Sequence, residues 1–199
     1  MTEVIDLGRR PLAPVLEAMR QHLEAVRHGA PGQVWLVEHE PVYTAGRSAA
    51  DAMPDGPLPH PLIPVERGGR ITFHGPGQLV VYPVVRLPRR DVRAWLRALE
   101  AFGIALCSAF GVAAHTSEDG TGVFAGGSKV GSIGVAIRHW INLHGLALNV
   151  DMDLQPFHAV RPCGLDPQIV SDLSRIAGRR ITMADARAAV PDALATLLC

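Results

Sequence analysis

Three segments of the chain have apolar residues at the three-to-four-residue spacing of an amphipathic helix. In the first, the apolar positions are Leu12, Val15, Leu16, Met19, Leu23 and Val26, and Gly29 ends the run. In the second they are Val92, Trp95, Leu96, Leu99 and Phe102, which predicts a helix that ends at Gly103. The third pattern runs from Thr182 to Leu198 and is interrupted at Pro191, which predicts two short helices.

The apolar runs between these helices are shorter and strand-like. They predict strands over Gln33–Glu38, Arg70–His74 and Leu79–Val85, the last two joined by a tight turn at Gly75-Pro76-Gly77. Pro83 predicts that its strand lies at a sheet edge or carries a bulge. The polar segment Glu40–Arg47 and the proline-rich segment Ala49–Pro64 are interpreted as loops, the second as an ordered loop or lid.

The apolar positions between Val135 and Val150 change parity at Gly145. Ile141 and Leu143 share one parity, whereas Leu146, Leu148 and Val150 share the other. This change predicts a β-bulge at Gly145, with its backbone groups free for a ligand. Helices around a strand-rich middle predict one α+β domain over residues 1–199, a mixed β-sheet with helices on one face.

Composition excludes several classes of function. The chain has 199 residues, and 19 Lys and Arg balance 19 Asp and Glu, which argues against nucleic-acid binding and polybasic membrane adaptors. There is no signal-peptide pattern and no apolar stretch of about 20 residues, so we expect a soluble cytoplasmic protein. The Cys and His spacings match neither a disulfide framework nor a metal site. Without a long apolar edge or heptad, we expect a monomer.

The segment Gly120–Gly134 contains six glycines and Lys129, the chain's one lysine. Its spacing fits neither a P-loop nor a dinucleotide fingerprint. Such glycine density indicates either close backbone approach, with N–H groups available to a developing oxyanion, or a floppy surface loop. A single lysine in an arginine-rich chain favours the first interpretation, because an ammonium can lose its proton and a guanidinium cannot.

Arg161-Pro162-Cys163-Gly164 places a thiol between a rigid proline and an unhindered glycine. A thiol with the ordinary pKa of ~8.5 is only a few per cent thiolate at pH 7, so a nucleophilic cysteine needs a nearby cation. Lys129 is one candidate for that cation, and His74 or His144 in a Cys-His pair is another. Cys107 fits a small core residue, and Cys199 is terminal.

Four blocks of sequence resemble the lipoyl(octanoyl) transferase family. They are Arg67-Gly68-Gly69-x-x-Thr72-Phe73-His74-Gly75-Pro76-Gly77-Gln78, Lys129-Val130-x-Ser132-Ile133-Gly134, His144-Gly145-Leu146-Ala147-Leu148-Asn149-Val150 and Pro162-Cys163-Gly164. Their order is the family's, and the resemblance covers roughly Gln33 to Ser174. The chain departs from the family at Phe124, where Trp is common, and at Leu143. We expect both departures to concern the lining of the acyl pocket.

The resemblance implies a fold shared by biotin and lipoate protein ligases and an acyl-enzyme mechanism without a cofactor or metal. It implies that Cys163 is the nucleophile, with Lys129 as its activator and His144 in a supporting role. It also implies that an octanoyl and thioester pocket is lined by Arg67, Gly68, Gly69, Arg70, Ile71, Thr72, Phe73, His74, Ser132, Ile133, Gly134, Gly145, Leu146 and Ala147.

The implied donor is octanoyl-acyl carrier protein. The implied acceptors are apo lipoyl domains of 2-oxoacid dehydrogenases and the glycine cleavage H protein. Moving an acyl group between thiols is nearly thermoneutral and forming an amide is downhill, so no ATP is needed. The alternatives are an ATP-dependent lipoate or biotin ligase, an amidotransferase between lipoyl domains, and a non-catalytic acyl-binding module. A cluster of arginines lies on and before the second predicted helix, and it is either a docking surface for the acidic carrier protein or a solvated helix face. Its members are Arg86, Arg89, Arg90, Arg93 and Arg97.

Overall fold

The computed structural model describes residues 2–50, 56–118, 120–160 and 169–198. Its strands are β1 (Glu3–Arg10), β2 (Gln33–His39), β3 (Val42–Ala45), β4 (Leu62–Pro64), β5 (Ile71–His74), β6 (Gln78–Val84), β7 (Ala114–Ser117), β8 (Gly120–Ala125), β9 (Ser128–Arg138) and β10 (Ile141–Asn149). Its helices are α1 (Leu12–Arg27), α2 (Val92–Ser108), α3 (Leu173–Ala177), α4 (Met183–Ala188), α5 (Val190–Ala193) and α6 (Ala195–Leu198), and Gln155–Ala159 forms a 3₁₀ helix.

The strands form two sheets. Seven of them make a mixed sheet in the order β1-β2-β6-β10-β9-β8-β7, in which only the β1–β2 pair is parallel. The other three make a small sheet in the order β4-β3-β5. The predicted mixed sheet is therefore present, with a second sheet that the sequence did not reveal. No helix in the described part of the chain is long and apolar enough to cross a membrane.

Helices cover both faces of the large sheet, which corrects the prediction of helices on one face. On β10, Ile141 and Leu143 pack in one cluster with the buried side of α1. Leu146 and Leu148 pack in another cluster with α2 on the opposite face. The change of parity along β10 thus reflects burial of both faces. The predicted bulge is wrong, because the register of β10 on β9 is continuous through Gly145.

Both long helices form where the apolar stripes predicted them. All six predicted apolar residues of α1 are buried. Helix α2 begins at the cap Asp91, whose carboxylate accepts from the Arg93 and Ala94 N–H groups. It continues past the predicted stop at Gly103 because this glycine packs against the sheet, where a Cβ would lie 2.5 Å from Val123 Cγ2.

Two predicted loops contain strands. Residues Val42–Ala45 pair with both Leu62–Pro64 and Ile71–His74. Pairing between strands that are distant in sequence therefore overrides the polar and proline-rich composition of these segments. Residues 51–55 of the predicted lid lie outside the described residues. The predicted turn at Gly75–Gly77 is confirmed by the hydrogen bond from Gln78 N to Gly75 O, although its two strands enter different sheets.

Pro83 lies on an interior strand, so its predicted edge position is wrong. Regular β6–β10 pairing ends at Val81 and Leu146, and the Pro83 carbonyl accepts from Asn142 Nδ2 instead (2.7 Å). The Gly120–Gly134 segment is a β8–β9 hairpin, not a loop. The C-terminal pattern forms three short helices, with Pro191 in the first turn of α5, where a proline has no hydrogen bond to lose.

Candidate active site

Residues from both sheets line one cavity, and the predicted substrate-binding residues meet there. All of them except Phe73 line its wall, together with His144. The Phe73 ring lies instead in an aromatic cluster, 5.2 Å from Tyr43 and 5.7 Å from Phe157 between ring centroids. The cavity also has wall residues that the sequence did not single out, namely Leu12, Thr44, Val65, Val80 and Tyr82.

Arg67 fixes the loop at one side of the cavity. The residue is 8% exposed, and its guanidinium donates to the carbonyls of Thr44, Gly68 and Arg70, each at 2.9 Å, and to Thr44 Oγ1 at 2.6 Å. Gly134 makes room for this side chain, since a Cβ there would lie 2.9 Å from Arg67 Cδ. The Arg67-Gly68-Gly69 motif therefore holds a buried cation with backbone oxygens.

His74 starts a buried polar chain that leads away from the cavity wall. Its Nδ1 lies 2.7 Å from Gln78 Oε1, so Nδ1 carries the proton and Nε2 accepts from the Thr44 hydroxyl at 3.2 Å. Gln78 Nε2 donates to Asn149 Oδ1, and Asn149 Nδ2 donates to the Ser171 carbonyl, both at 2.9 Å. This series of hydrogen bonds connects β5, β6 and β10 to the backbone around Ser171.

The histidines near the cavity are neutral at pH 7. Burial lowers the pKa of His74 to about 3 and the pKa values of His39 and His144 to about 4. A neutral imidazole does not stabilise a thiolate by charge, so these pKa values favour Lys129 over His74 and His144 as the activating cation. His144 Nε2 has no hydrogen bond to a described residue and lies 4.0 Å from Glu66 Oε2.

These buried histidines predict acid sensitivity of the fold. Below pH 6.5 the unfolded chain binds protons that the folded chain excludes until about pH 4, so stability present at pH 7 is lost as the pH falls. Urea titration should show the free energy of unfolding dropping by about 2 kcal/mol or more between pH 7.5 and 5.0. His39→Gln should reduce this drop and His28→Gln, at an exposed position, should not. Equal stability of the wild type at both pH values would contradict the prediction.

Lys129 is buried on β9, 2% exposed, and is not among the residues that line the cavity. Its Nζ donates to the Thr121 carbonyl (3.2 Å) and lies 5.5 Å from the centre of the Phe124 ring. The same peptide group donates its Gly122 N–H to Glu100 Oε1 at 3.2 Å. Glu100 was not found from the sequence, and it holds the peptide that Lys129 contacts.

Gly122 has a structural reason to be glycine. Its φ is +155°, and a Cβ there would lie 2.7 Å from Lys129 Cε. The glycine-rich segment therefore provides the close approach predicted from its composition, in this case around the lysine side chain.

Cys163 and the rest of Arg161–Gly164 lie outside the described residues, as does Cys199. Val160, the last described residue before this segment, packs in the same hydrophobic cluster as Phe73. The chain after them returns to Lys129, where Ser171 N donates to the Lys129 carbonyl at 3.0 Å. Cys107 is a buried core residue as predicted, and burial raises the pKa of its thiol to about 12.

The two departures from the family pattern do not line the cavity, contrary to expectation. Phe124 lies beside the Lys129 ammonium, and Leu143 packs in the cluster beneath α1. They therefore affect the surroundings of the lysine and the core, not the wall of the cavity.

Comparison with known proteins identifies the family to which this fold and these motifs belong. Residues 13–195 match the model of the lipoyl protein ligase A/B catalytic domain. The octanoyltransferase of Chromohalobacter salexigens is 44% identical over 164 residues, which cover 81% of this chain and 74% of that protein.

Two solved structures share the fold at low identity. Lipoate-protein ligase A bound with ATP gives a TM-score of 0.80 at 16% identity, covering 99% of this chain and 85% of that one. The biotin protein ligase of Aquifex aeolicus gives 0.55 at 11% identity, covering 100% and 69%. The predicted biotin/lipoate ligase-like fold and the family resemblance are both confirmed, because the chain belongs to the octanoyltransferases, which are acyltransferases, within the lipoyl protein ligase A/B family.

Proposed function

We propose that this chain is an acyltransferase that moves an octanoyl group from octanoyl-acyl carrier protein, through a thioester on Cys163, to the target lysine of apo lipoyl domains. The acceptors would be the lipoyl domains of 2-oxoacid dehydrogenases and the glycine cleavage H protein. Kinship with the octanoyltransferases supports the acyl group, and the lipoate ligase fold supports the acceptor class.

The observation that carries the proposal is the cavity. Its wall contains apolar side chains from both sheets, including Ile71, Ile133 and Leu146, next to the glycine backbone at Gly68 and Gly134. Burying an alkyl chain there stabilises the complex by about 0.8 kcal/mol per methylene. An acyl chain of moderate length is therefore a suitable occupant.

The chemistry proceeds in two transfers. The Cys163 thiolate attacks the carbonyl carbon of the donor thioester, a new C–S bond forms, and the carrier leaves as a thiolate that takes up a proton. The acceptor amine then attacks the acyl-Cys163 thioester, an amide bond forms, and the Cys163 sulfur leaves. Backbone N–H groups around Gly164 and the glycine-rich hairpin stabilise the oxyanion in both steps.

Lys129 is proposed to stabilise the Cys163 thiolate and to relay the proton that the acceptor amine loses. Two contacts support the pairing. Val160, three residues before Cys163, belongs to the same hydrophobic cluster as Ile71 of the cavity wall, and Val170, seven residues after it, pairs with Lys129. The chain carrying the thiol is thus anchored on one side at the cavity and on the other at the lysine.

Turnover without ATP tests the proposal. Purified protein, octanoyl-carrier protein and an apo lipoyl domain should give octanoylated domain, with the parallel double-reciprocal lines of ping-pong kinetics. Intersecting lines would contradict the acyl-enzyme. Modification that requires ATP and free octanoate would indicate a ligase, and octanoyl transfer only from an octanoylated lipoyl domain would indicate an amidotransferase.

A further inference from the structure

An open groove continues from the cavity along the outer half of β9. It shares Gly68, Gly69, Arg70, Ile133 and Gly134 with the cavity and extends along β9 to Arg138. Val92 and Leu96 of α2 form its other side, and Val92 is 38% exposed. The groove therefore offers a path from solvent to the cavity with apolar contacts along it.

Along this groove the outward side of the β9 backbone is only partly hydrogen-bonded to described residues. Pairing of β9 with β8 ends at Ser132, and beyond it the Val135 carbonyl accepts from the Gly68 N–H at 3.0 Å. Asn142, the β10 partner of Ile137, donates its N–H to the Val85 carbonyl, away from β9. By antiparallel geometry the N–H and C=O of Ile137 then point to the open side. An extended chain with amide groups can hydrogen-bond to such an edge.

The groove is positively charged. Arg47, Arg70 and Arg138 line it, and none of the three forms an ion pair with a described residue. Glu66 is the carboxylate among the described lining residues, and it is paired with Arg20 at 3.2 Å. An anionic occupant is therefore favoured over a neutral or cationic one.

We propose that this groove binds the phosphopantetheine arm of the donor, with Arg138 at the phosphate, the arm's two amides along the β9 edge and the thioester at Gly134. The inference rests on the proposed carrier-protein donor. The lengths agree. Gly134 to Arg138 spans roughly 13 Å at the rise of a strand. The arm has about thirteen chain atoms from phosphate to sulfur, the length of about four extended residues, or ~14 Å.

The outer end of the groove adjoins the arginine cluster. Arg138 is followed by the turn His139–Trp140, where Arg86 Nη1 donates to the His139 carbonyl and Arg90 lies 5.7 Å from the Trp140 ring centre. A carrier protein attached to a phosphate at Arg138 would rest beside these exposed arginines. This position supports the docking interpretation of the cluster over a merely solvated helix face.

Steady-state kinetics with three donors tests the inference. The donors are octanoyl-carrier protein, octanoyl-4′-phosphopantetheine and octanoyl-pantetheine, which lacks the phosphate. We expect Arg138→Gln to raise KM about tenfold for both phosphorylated donors and to leave octanoyl-pantetheine unchanged. The double variant Arg93→Glu/Arg97→Glu should raise KM, and reduce its salt dependence, for the carrier protein alone. The matched control is Arg27→Gln, an exposed arginine of α1 paired with Glu24.

Each outcome separates the inference from the proposed function. If Arg138→Gln shifts KM equally for the phosphorylated and unphosphorylated donors, or for neither, the phosphate site is wrong although the transferase can stand. If it raises KM only for the lipoyl domain, the groove takes the acceptor. If the wild type uses none of the three donors while the acceptor is modified with ATP and free acid, the proposed function itself fails.

Discussion

Cys163→Ala is expected to form no octanoyl adduct and to lose octanoyl transfer by at least about 10³-fold, since the variant has no nucleophile to divide the reaction into two steps. The wild type should gain one octanoyl mass after incubation with octanoyl-carrier protein in the absence of ATP. Hydroxylamine should remove that mass, because it cleaves thioesters and leaves amides intact. Intact-mass spectrometry reads all of these results directly.

A matched control keeps Cys163 as the single cysteine. The double variant Cys107→Ala/Cys199→Ala should acquire the adduct as the wild type does, since Cys107 is a buried core residue whose raised thiol pKa leaves it protonated. An adduct that persists in Cys163→Ala, or that is missing from the double variant, would assign the acyl group to another residue. Wild-type transfer that never passes through an adduct would contradict covalent catalysis.

The sequence predicted the long helices well because their apolar stripes face one side only. It predicted β10 less well, since Ile141 and Leu148 are buried on opposite faces of the sheet and strict alternation is lost. The strands β3 and β4 were missed for another reason. They have four and three residues and exist because β3 pairs with both β4 and β5, which local propensity cannot show.

The sequence predicted those cavity residues whose type is required by the local structure, namely the glycines and the polar residues of the family blocks. Arg67 and Gly134 belong to recognisable blocks because one fills the space that the other leaves. Leu12 and Val80 have no such signal, since an apolar residue in a cavity wall looks like any core residue. Glu100 lies 29 positions before Lys129, and only the packing of α2 on the hairpin brings its carboxylate to the Thr121–Gly122 peptide.

Replacing Lys129 is expected to separate the two half-reactions. Lys129→Met keeps a flexible chain of similar length in the narrow space beside Gly122 and removes the charge. It should slow the formation of the octanoyl-Cys163 adduct by about 10²-fold or more. The reason is that the thiolate loses the cation that stabilises it and no group remains to relay the proton. Quenched-flow mass spectrometry with a single turnover of octanoyl-carrier protein measures this step without the acceptor.

Lys129→Arg should behave differently, since a guanidinium keeps the charge but cannot give up a proton at neutral pH. Adduct formation should continue, while its transfer to the lipoyl domain slows, so that octanoyl-enzyme accumulates when both substrates are present. Near-wild-type melting temperatures for both variants would show that the buried site remains folded. Adduct formation at the wild-type rate in Lys129→Met would exclude Lys129 from activating the thiol, and fast deacylation in Lys129→Arg would exclude it as the proton relay.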